Sequence, residues 1–185
     1  NNRFHFGVGV SPWYEDFLAT GERWEKRGKR MDEQIDILKG LMDGEYFTYK
    51  GEFYDIPALK LCPVPTKPVP ILIGGHSKLA LKRAARVGDG WISAGLSLEE
   101  TKTLIDQINE YRDEFGTLDH PNYQFQVMGE AAYSPEGIKN LEDLGATEVI
   151  VAFRNAYEGG KDERTLDGMI AEMNWYAEEV INKSR

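Results

Sequence analysis

Cysteine is nearly missing from this chain: Cys62 stands alone among 185 residues. No intrachain disulfide can form, and a single thiol fits a reducing compartment, so a cytoplasmic setting is expected. Histidine is also scarce, with only His5, His76 and His120. No set of His, Cys and carboxylates has the spacing of a metal site, so no bound metal is expected. There is no Gly-x-Ser-x-Gly and no Cys–His arrangement to support a covalent nucleophile. Basic residues do not cluster: 22 Lys and Arg stand against 31 Asp and Glu, for a net charge of −9. That balance argues against nucleic acid or an anionic membrane surface as the main partner. No apolar stretch approaches the roughly 18 residues of a membrane span, and no secretory leader is evident.

What is present is an alternation of strand and helix. The apolar share of 41%, with 11% aromatic residues, is enough for one core, so residues 1–185 are expected to form a single domain. Phe4, Phe6, Val8 and Val10 alternate with small or polar positions, which predicts a strand over 3–10. Met31, Ile35, Leu38 and Leu41 recur at helical spacing within a helix expected over 22–42. Residues 43–67 break the rhythm with Gly44, Gly51, Pro57, Pro63 and Pro65 among Tyr46, Phe47, Tyr49, Phe53 and Tyr54. They read as a long inserted loop over the mouth of the fold, with a short hairpin around Lys50-Gly51. Further strands are expected at 69–73, 90–93, 123–129 and 148–153. The helices between and after them cover 78–87, a stretch from Leu98 to Phe115, 135–144 and about 164–182. Ser134 and Pro135 suit a capped start for the fourth helix. The last helix places Leu166, Met169, Ile170, Met173, Ala177, Val180 and Ile181 on one face.

Five strands and five helices in alternation indicate an α/β fold with a parallel sheet, either doubly wound or closed into a barrel. The dinucleotide fingerprint is not there. In Gly7-Val8-Gly9-Val10-Ser11-Pro12 the third glycine is missing, and Pro12 disturbs the turn. The most informative segment is Val69-Pro70-Ile71-Leu72-Ile73-Gly74-Gly75-His76-Ser77. Its apolar run suits a parallel strand covered on both faces. Gly74 and Gly75 allow a sharp turn and close approach of a ligand. Ser77 suits the N-cap of the next helix, whose N–H groups and positive dipole end favour an anion such as a cofactor phosphate. The same pattern also serves as a plain tight turn before a capped helix. His5 reads as an interior packing histidine, His120 as solvent-exposed beside Pro121, and Trp91 as core. The pairs Asp32-Glu33, Glu99-Glu100 and Asp162-Glu163 read as solvated helix termini.

Four blocks then occur in order: Asn2-Arg3-Phe4-His5-Phe6-Gly7-Val8-Gly9-Val10-Ser11, Arg27-Gly28-Lys29-Arg30-Met31-Asp32-Glu33, Ile73-Gly74-Gly75-His76-Ser77, and Ala84-Ala85-Arg86-Val87-Gly88-Asp89-Gly90-Trp91. Together they resemble the bacterial luciferase-like flavin monooxygenases, including the branch that uses the deazaflavin coenzyme F-420. The resemblance implies a (β/α)8 TIM barrel, of which this chain would supply the last five β/α units. It also implies a homodimer and cofactor binding at the C-terminal ends of the strands. Gly74, Gly75, His76 and Ser77 match the family's phosphate loop. Arg30 matches an arginine that reaches the phosphate, and Ser93 ends a strand that contacts the cofactor. Val10 stands where some flavin-using relatives carry a second phosphate-binding arginine, which tilts the expectation toward the deazaflavin. The expected activity is hydride transfer between a deazaflavin and a small organic substrate. Oxygen-using FMN-dependent monooxygenation is the alternative, and a non-catalytic flavin-binding or structural remnant is the alternative from another class. The catalytic residues are expected in upstream strands.

Overall fold

In the computed structural model, residues 3–154 and 163–184 are described. In chain order the elements are β1 (Phe6–Val8), α1 (Tyr14–Thr20), α2 (Arg27–Met42), β2 (Phe47–Lys50), β3 (Asp55–Leu59), β4 (Ile71–Gly74) and α3 (Lys78–Val87). They continue with β5 (Gly90–Ile92), α4 (Leu98–Phe115), β6 (Gln124–Val127), a 3-10 turn (Glu130–Tyr133), α5 (Pro135–Asp143), β7 (Glu148–Val149) and α6 (Leu166–Tyr176), which ends in a π-helical turn (Ala177–Ile181).

The sheet has the order β1-β4-β5-β6-β7, and every pairing is parallel. Each strand lies beside the next one in sequence, with the β2–β3 hairpin set aside. A doubly wound sheet reverses direction at a switch point. These strands do not, and right-handed crossovers then place their helices on one face.

Register shows which residues meet those helices. Val8, Ile73, Trp91 and Phe125 are aligned across four strands. Ile73, Trp91 and Phe125 pack with Met31, Ile35, Leu81, Ala84, Ile105 and Ile108 of the helices in one apolar core. The opposite face carries the rows Gly7, Leu72, Gly90, Gln124 and Gly74, Ile92, Gln126, Glu148. Gln126 donates there to Glu148 at 2.8 Å. The face opposite these helices is thus made chiefly of glycines, glutamines and a carboxylate, with Leu72 and Ile92 its bulky apolar members.

Several boundaries differ from the sequence-based expectation. The strands are shorter than 3–10, 123–129 and 148–153, because their outer residues leave the ladder to form the loops. The helix expected over 22–42 starts only at Arg27, after Lys26 in the left-handed region at φ 56°. Before it stands an unforeseen helix, α1, closed by Gly21 at φ 69°. Its start is braced by Ser11, which donates to Asp16 and accepts from the Trp13 N–H. Phe17 of α1 packs edge-on against Trp24 at 5.1 Å.

Residues 43–67 do hold a hairpin, with β2 and β3 antiparallel. It stands against the flank of α2. The Glu33 carboxylate accepts from the N–H groups of Glu52, Phe53 and Tyr54, which pins the turn. Tyr54 and Ile56 line a groove of about 640 Å³ with Phe6–Val8 of β1, with Gly9 and with α2.

Asp32 and Glu33 are therefore engaged rather than solvated, whereas Glu100 does serve a helix start; Asp162 lies outside the described residues. His5 is exposed instead of interior, because the chain leaves the sheet before Phe6. His120 is tied to Asp89 at 3.1 Å instead of being free in solvent. The last helix buries only Tyr176 and Val180 fully. Leu166, Ile170, Met173, Trp175 and Ile181 remain exposed on it, so its apolar face is uncovered among the described residues. Among the described residues, no helix is long and apolar enough to cross a membrane.

Candidate cofactor-phosphate site

Ile71, Leu72 and Ile73 are fully buried and carry β4 rigidly into the loop at its C-terminal end. Gly74 is the last strand residue, and Gly75 follows at φ 116°, a conformation that side-chain-bearing residues rarely adopt. A Cβ on Gly75 would also lie 3.1 Å from the Ala80 Cβ. Ser77 caps α3, its hydroxyl accepting from the Ala80 N–H at 3.3 Å. The first four N–H groups of a helix lack intrahelical acceptors, so the start of α3 offers donors and its dipole to an anion.

Two side chains lace this loop to its neighbour. The fully buried Trp91 donates its indole N–H to the Gly75 carbonyl at 2.9 Å. In the other direction His76 Nε2 accepts from the Ala94 N–H at 3.2 Å, beyond the end of β5. Withdrawal of part of the ring from water pushes the His76 pKa down, while Glu100 pulls it up more weakly. A low pKa suits a ring nitrogen that accepts. Ser93 is buried, and its hydroxyl accepts from the Met128 N–H at 2.9 Å, joining the ends of β5 and β6. Leu96 and Gly129 form a bridge farther out, where a Cβ on Gly129 would sit 2.2 Å from the Leu96 carbonyl oxygen. Three consecutive loops are therefore held together at the C-terminal face.

Arg30 lies in the first turn of α2 and lines a cavity of about 270 Å³ with Gly9, Val10, Phe17, Arg27 and Met31. Its guanidinium donates to Glu22 at 2.5 Å, so its partner is neither Asp32 nor Glu33. Asp32 instead binds Arg83 at 2.6 Å and clamps α2 to α3. Gly9 links the cavity to the loop, since a Cβ there would stand 3.7 Å from the Gly74 carbonyl oxygen. The structure thus groups Gly74, Gly75, His76 and Ser77 in one loop, ties Ser93 in from the next strand, and sets Arg30 behind Gly9. The sequence reads Trp91 first as core and its strand end, with Ser93 and Ala94, as a cofactor contact; it does not announce Gly129, Glu22 or the bond from the Ala94 N–H to His76. Only the glycine itself was a readable signal. Among the described residues, no group of three or more His, Cys, Asp or Glu could hold a metal.

Comparison with known proteins gives the family. A protein of Mycobacterium tuberculosis whose function is uncharacterized is 45% identical over 182 residues, covering 98% of this chain. The chain spans 62% of that relative's length. An FMNH(2)-dependent dimethylsulfone monooxygenase of Pseudomonas fluorescens is 37% identical over 54% of this chain and 28% of its own. An F420-dependent glucose-6-phosphate dehydrogenase of Amycolatopsis mediterranei is 29% identical over 60% of this chain and 34% of its own. In three dimensions the chain matches an F420-dependent secondary alcohol dehydrogenase with a TM-score of 0.61 at 21% identity. That match covers 77% of this chain and 44% of the other and shows a shared fold. The family model for luciferase-like monooxygenases matches residues 1–136, which include β1, Arg30, the glycine loop and Ser93, and this chain belongs to that family.

Proposed function

We propose that the Gly74–Ser77 loop, with Arg30, holds the phosphate of a flavin-type cofactor, and that the chain supplies the last five β/α units of a luciferase-like (β/α)8 barrel. Residues 1–185 form one domain in this reading, and 43–67 are an insertion on its flank. The observation that carries it is the loop after β4: a positive-φ glycine, a capped helix start, and a carbonyl and a ring fixed by the next strand. These groups fit a phosphate, since backbone N–H donors, a serine and a nearby guanidinium all favour an anion, and Gly74 and Gly75 present no Cβ to it. Ser93 contributes by holding the β5 end in place. The sequential strand order, the edge position of β1 among the described strands and the apolar groove beside it support an arc of a barrel.

The favoured activity is oxidation or reduction of a small organic substrate by hydride transfer with coenzyme F-420. The cofactor supplies the redox chemistry when bound, and the protein binds and orients it. Val10 in place of a second arginine supports the deazaflavin. FMN-dependent monooxygenation is the second reading, favoured by the higher identity to the dimethylsulfone monooxygenase. Groups acting directly on substrate are assigned to the barrel units before β1. The protein is read as a cytoplasmic homodimer, with the exposed apolar face of α6 available to be covered.

Fluorescence titration of the intact protein with coenzyme F-420 and with FMN tests this reading. One of them should bind, and Gly75→Val should weaken that binding by about tenfold or more, because a β-branched residue at this φ strains the loop. Unchanged affinity in a folded variant removes the loop from the site. Failure of both cofactors to bind leaves the non-catalytic reading.

A further inference from the structure

The contact between His76 and Ala94 joins the loops that follow two neighbouring strands. His76 sits inside the proposed phosphate loop, yet its Nε2 faces the backbone N–H of Ala94 at 3.2 Å, on the loop after the next strand. An acceptor nitrogen carries no proton, so the imidazole is neutral with its hydrogen on Nδ1. The ring is 6.0 Å from the Trp91 ring, and Trp91 in turn holds the Gly75 carbonyl. The loops after β4 and β5 are therefore joined by a reciprocal pair: a side chain of each binds the backbone of the other. Trp91 is enclosed in the core and cannot shift, whereas His76 is on the exposed side and is the adjustable member. Glu100, the charged group that acts on His76, is fixed by the Ser97 capping box at the start of α4.

We infer that His76 is a positioning residue, a neutral imidazole whose Nε2 fixes the loop after β5 against the phosphate loop so that both meet the cofactor in register. The inference rests on the cofactor reading above for its purpose, while the clamp itself can be observed without any cofactor. A phosphate donor at this position needs a ring N–H aimed at the anion, whereas a clamp needs an acceptor aimed at Ala94. The two roles respond differently to substitution. Glutamine can return a carbonyl acceptor near the Nε2 position, and phenylalanine keeps the ring area and removes the acceptor.

The test uses the intact protein in three forms, wild type, His76→Gln and His76→Phe. Nitrogen NMR of the wild-type imidazole should show the Nδ1–H tautomer. Amide exchange at Ala94 should quicken about fivefold in His76→Phe, the size expected for one lost hydrogen bond, and return toward wild type in His76→Gln. Affinity for coenzyme F-420 or FMN should follow the same order, weakening about fivefold in His76→Phe and recovering in His76→Gln. An Nε2–H tautomer, or unchanged Ala94 exchange in folded His76→Phe, overturns the clamp. Equal loss of affinity in both variants with Ala94 exchange restored in His76→Gln overturns the positioning role in favour of direct phosphate contact. If wild type binds neither cofactor, the cofactor reading fails, and the tautomer and Ala94 exchange alone decide whether the clamp exists.

Discussion

At the C-terminal ends of β4, β5 and β6, side chains reach for single backbone groups of the neighbouring loop. At the N-terminal ends, they converge on one another and on the strands. Asp89 accepts from the buried Ile71 N–H at 2.8 Å and meets His120 at 3.1 Å. Arg112 donates to Asn109, Thr117 and Leu118 while lying 4.0 Å over the Tyr123 ring. Thr117 bonds the Ala85 carbonyl at 2.7 Å, and Lys39 bonds that of Val87 at 2.6 Å. A group such as Arg112, held by several partners, is costly to remove, whereas the exposed His76 ring, held by a single bond, is easily re-aimed. The lower end is the foundation of the sheet. The upper end is pre-arranged but lightly held, as a surface that must accept a ligand requires.

That contrast breaks most readily at Arg112. Arg112→Ala removes three charge-assisted hydrogen bonds and the stacking on Tyr123, and should cost about 2–3 kcal/mol. Chemical denaturation measures the loss, and cofactor titration should show affinity unchanged. A variant that keeps its stability but loses affinity would invert the roles of the two ends.

Arg30→Ala should sharpen the contrast from the other side. Its Glu22 partner is about half exposed, so the stability lost should stay below about 1 kcal/mol. Affinity for cofactor should fall more at low salt than at high salt, if the guanidinium turns to a partly exposed phosphate. Lost stability at unaltered affinity would make Arg30 structural.

The smallest effect belongs to His76. Its folded pKa is lowered, first by burial of the ring, with Glu100 opposing. A lowered pKa in the folded state means that protons bind the unfolded chain more readily. The contribution of His76 to stability is therefore complete above the unfolded value of about 6.5 and is lost as the pH falls through the folded pKa. Stability curves of wild type and His76→Gln should converge as the pH falls below about 6.5. Parallel curves would show that the fold does not sense the charge on this ring.

Local chemistry was legible in the sequence, and cross-loop chemistry was not. Ser77 and Ser134 cap the expected helices because a hydroxyl before an apolar helical pattern has a short-range target. The buried β4 run and its two glycines read correctly for the same reason. The seven residues of α1 hold too few turns for a clear periodicity, and its brace from Ser11 is a side-chain contact. Trp91 to Gly75, His76 to Ala94 and Ser93 to Met128 are 16, 18 and 35 residues apart. Their partners are backbone groups that every residue carries, so no pattern of side chains announces them. The makeup of the face opposite the helices, with Gly7, Gly90, Gln124 and Gln126 on it, was not legible either. Register between strands decides that, and a slip of one residue exchanges the two faces.

The indole bound to the Gly75 carbonyl also gives the protein a built-in optical probe. Trp13 and Trp175 are about half exposed and Trp24 is partly covered, while Trp91 is shut away from water. Trp91 should therefore emit at the blue side of the tryptophan spectrum and resist quenching by iodide. Its N–H is bonded to the very loop assigned to the phosphate, so a shift of that loop alters the surroundings of the fluorophore directly. Ligand arrival can then be followed in the native protein as a change in blue-edge emission, with no label attached.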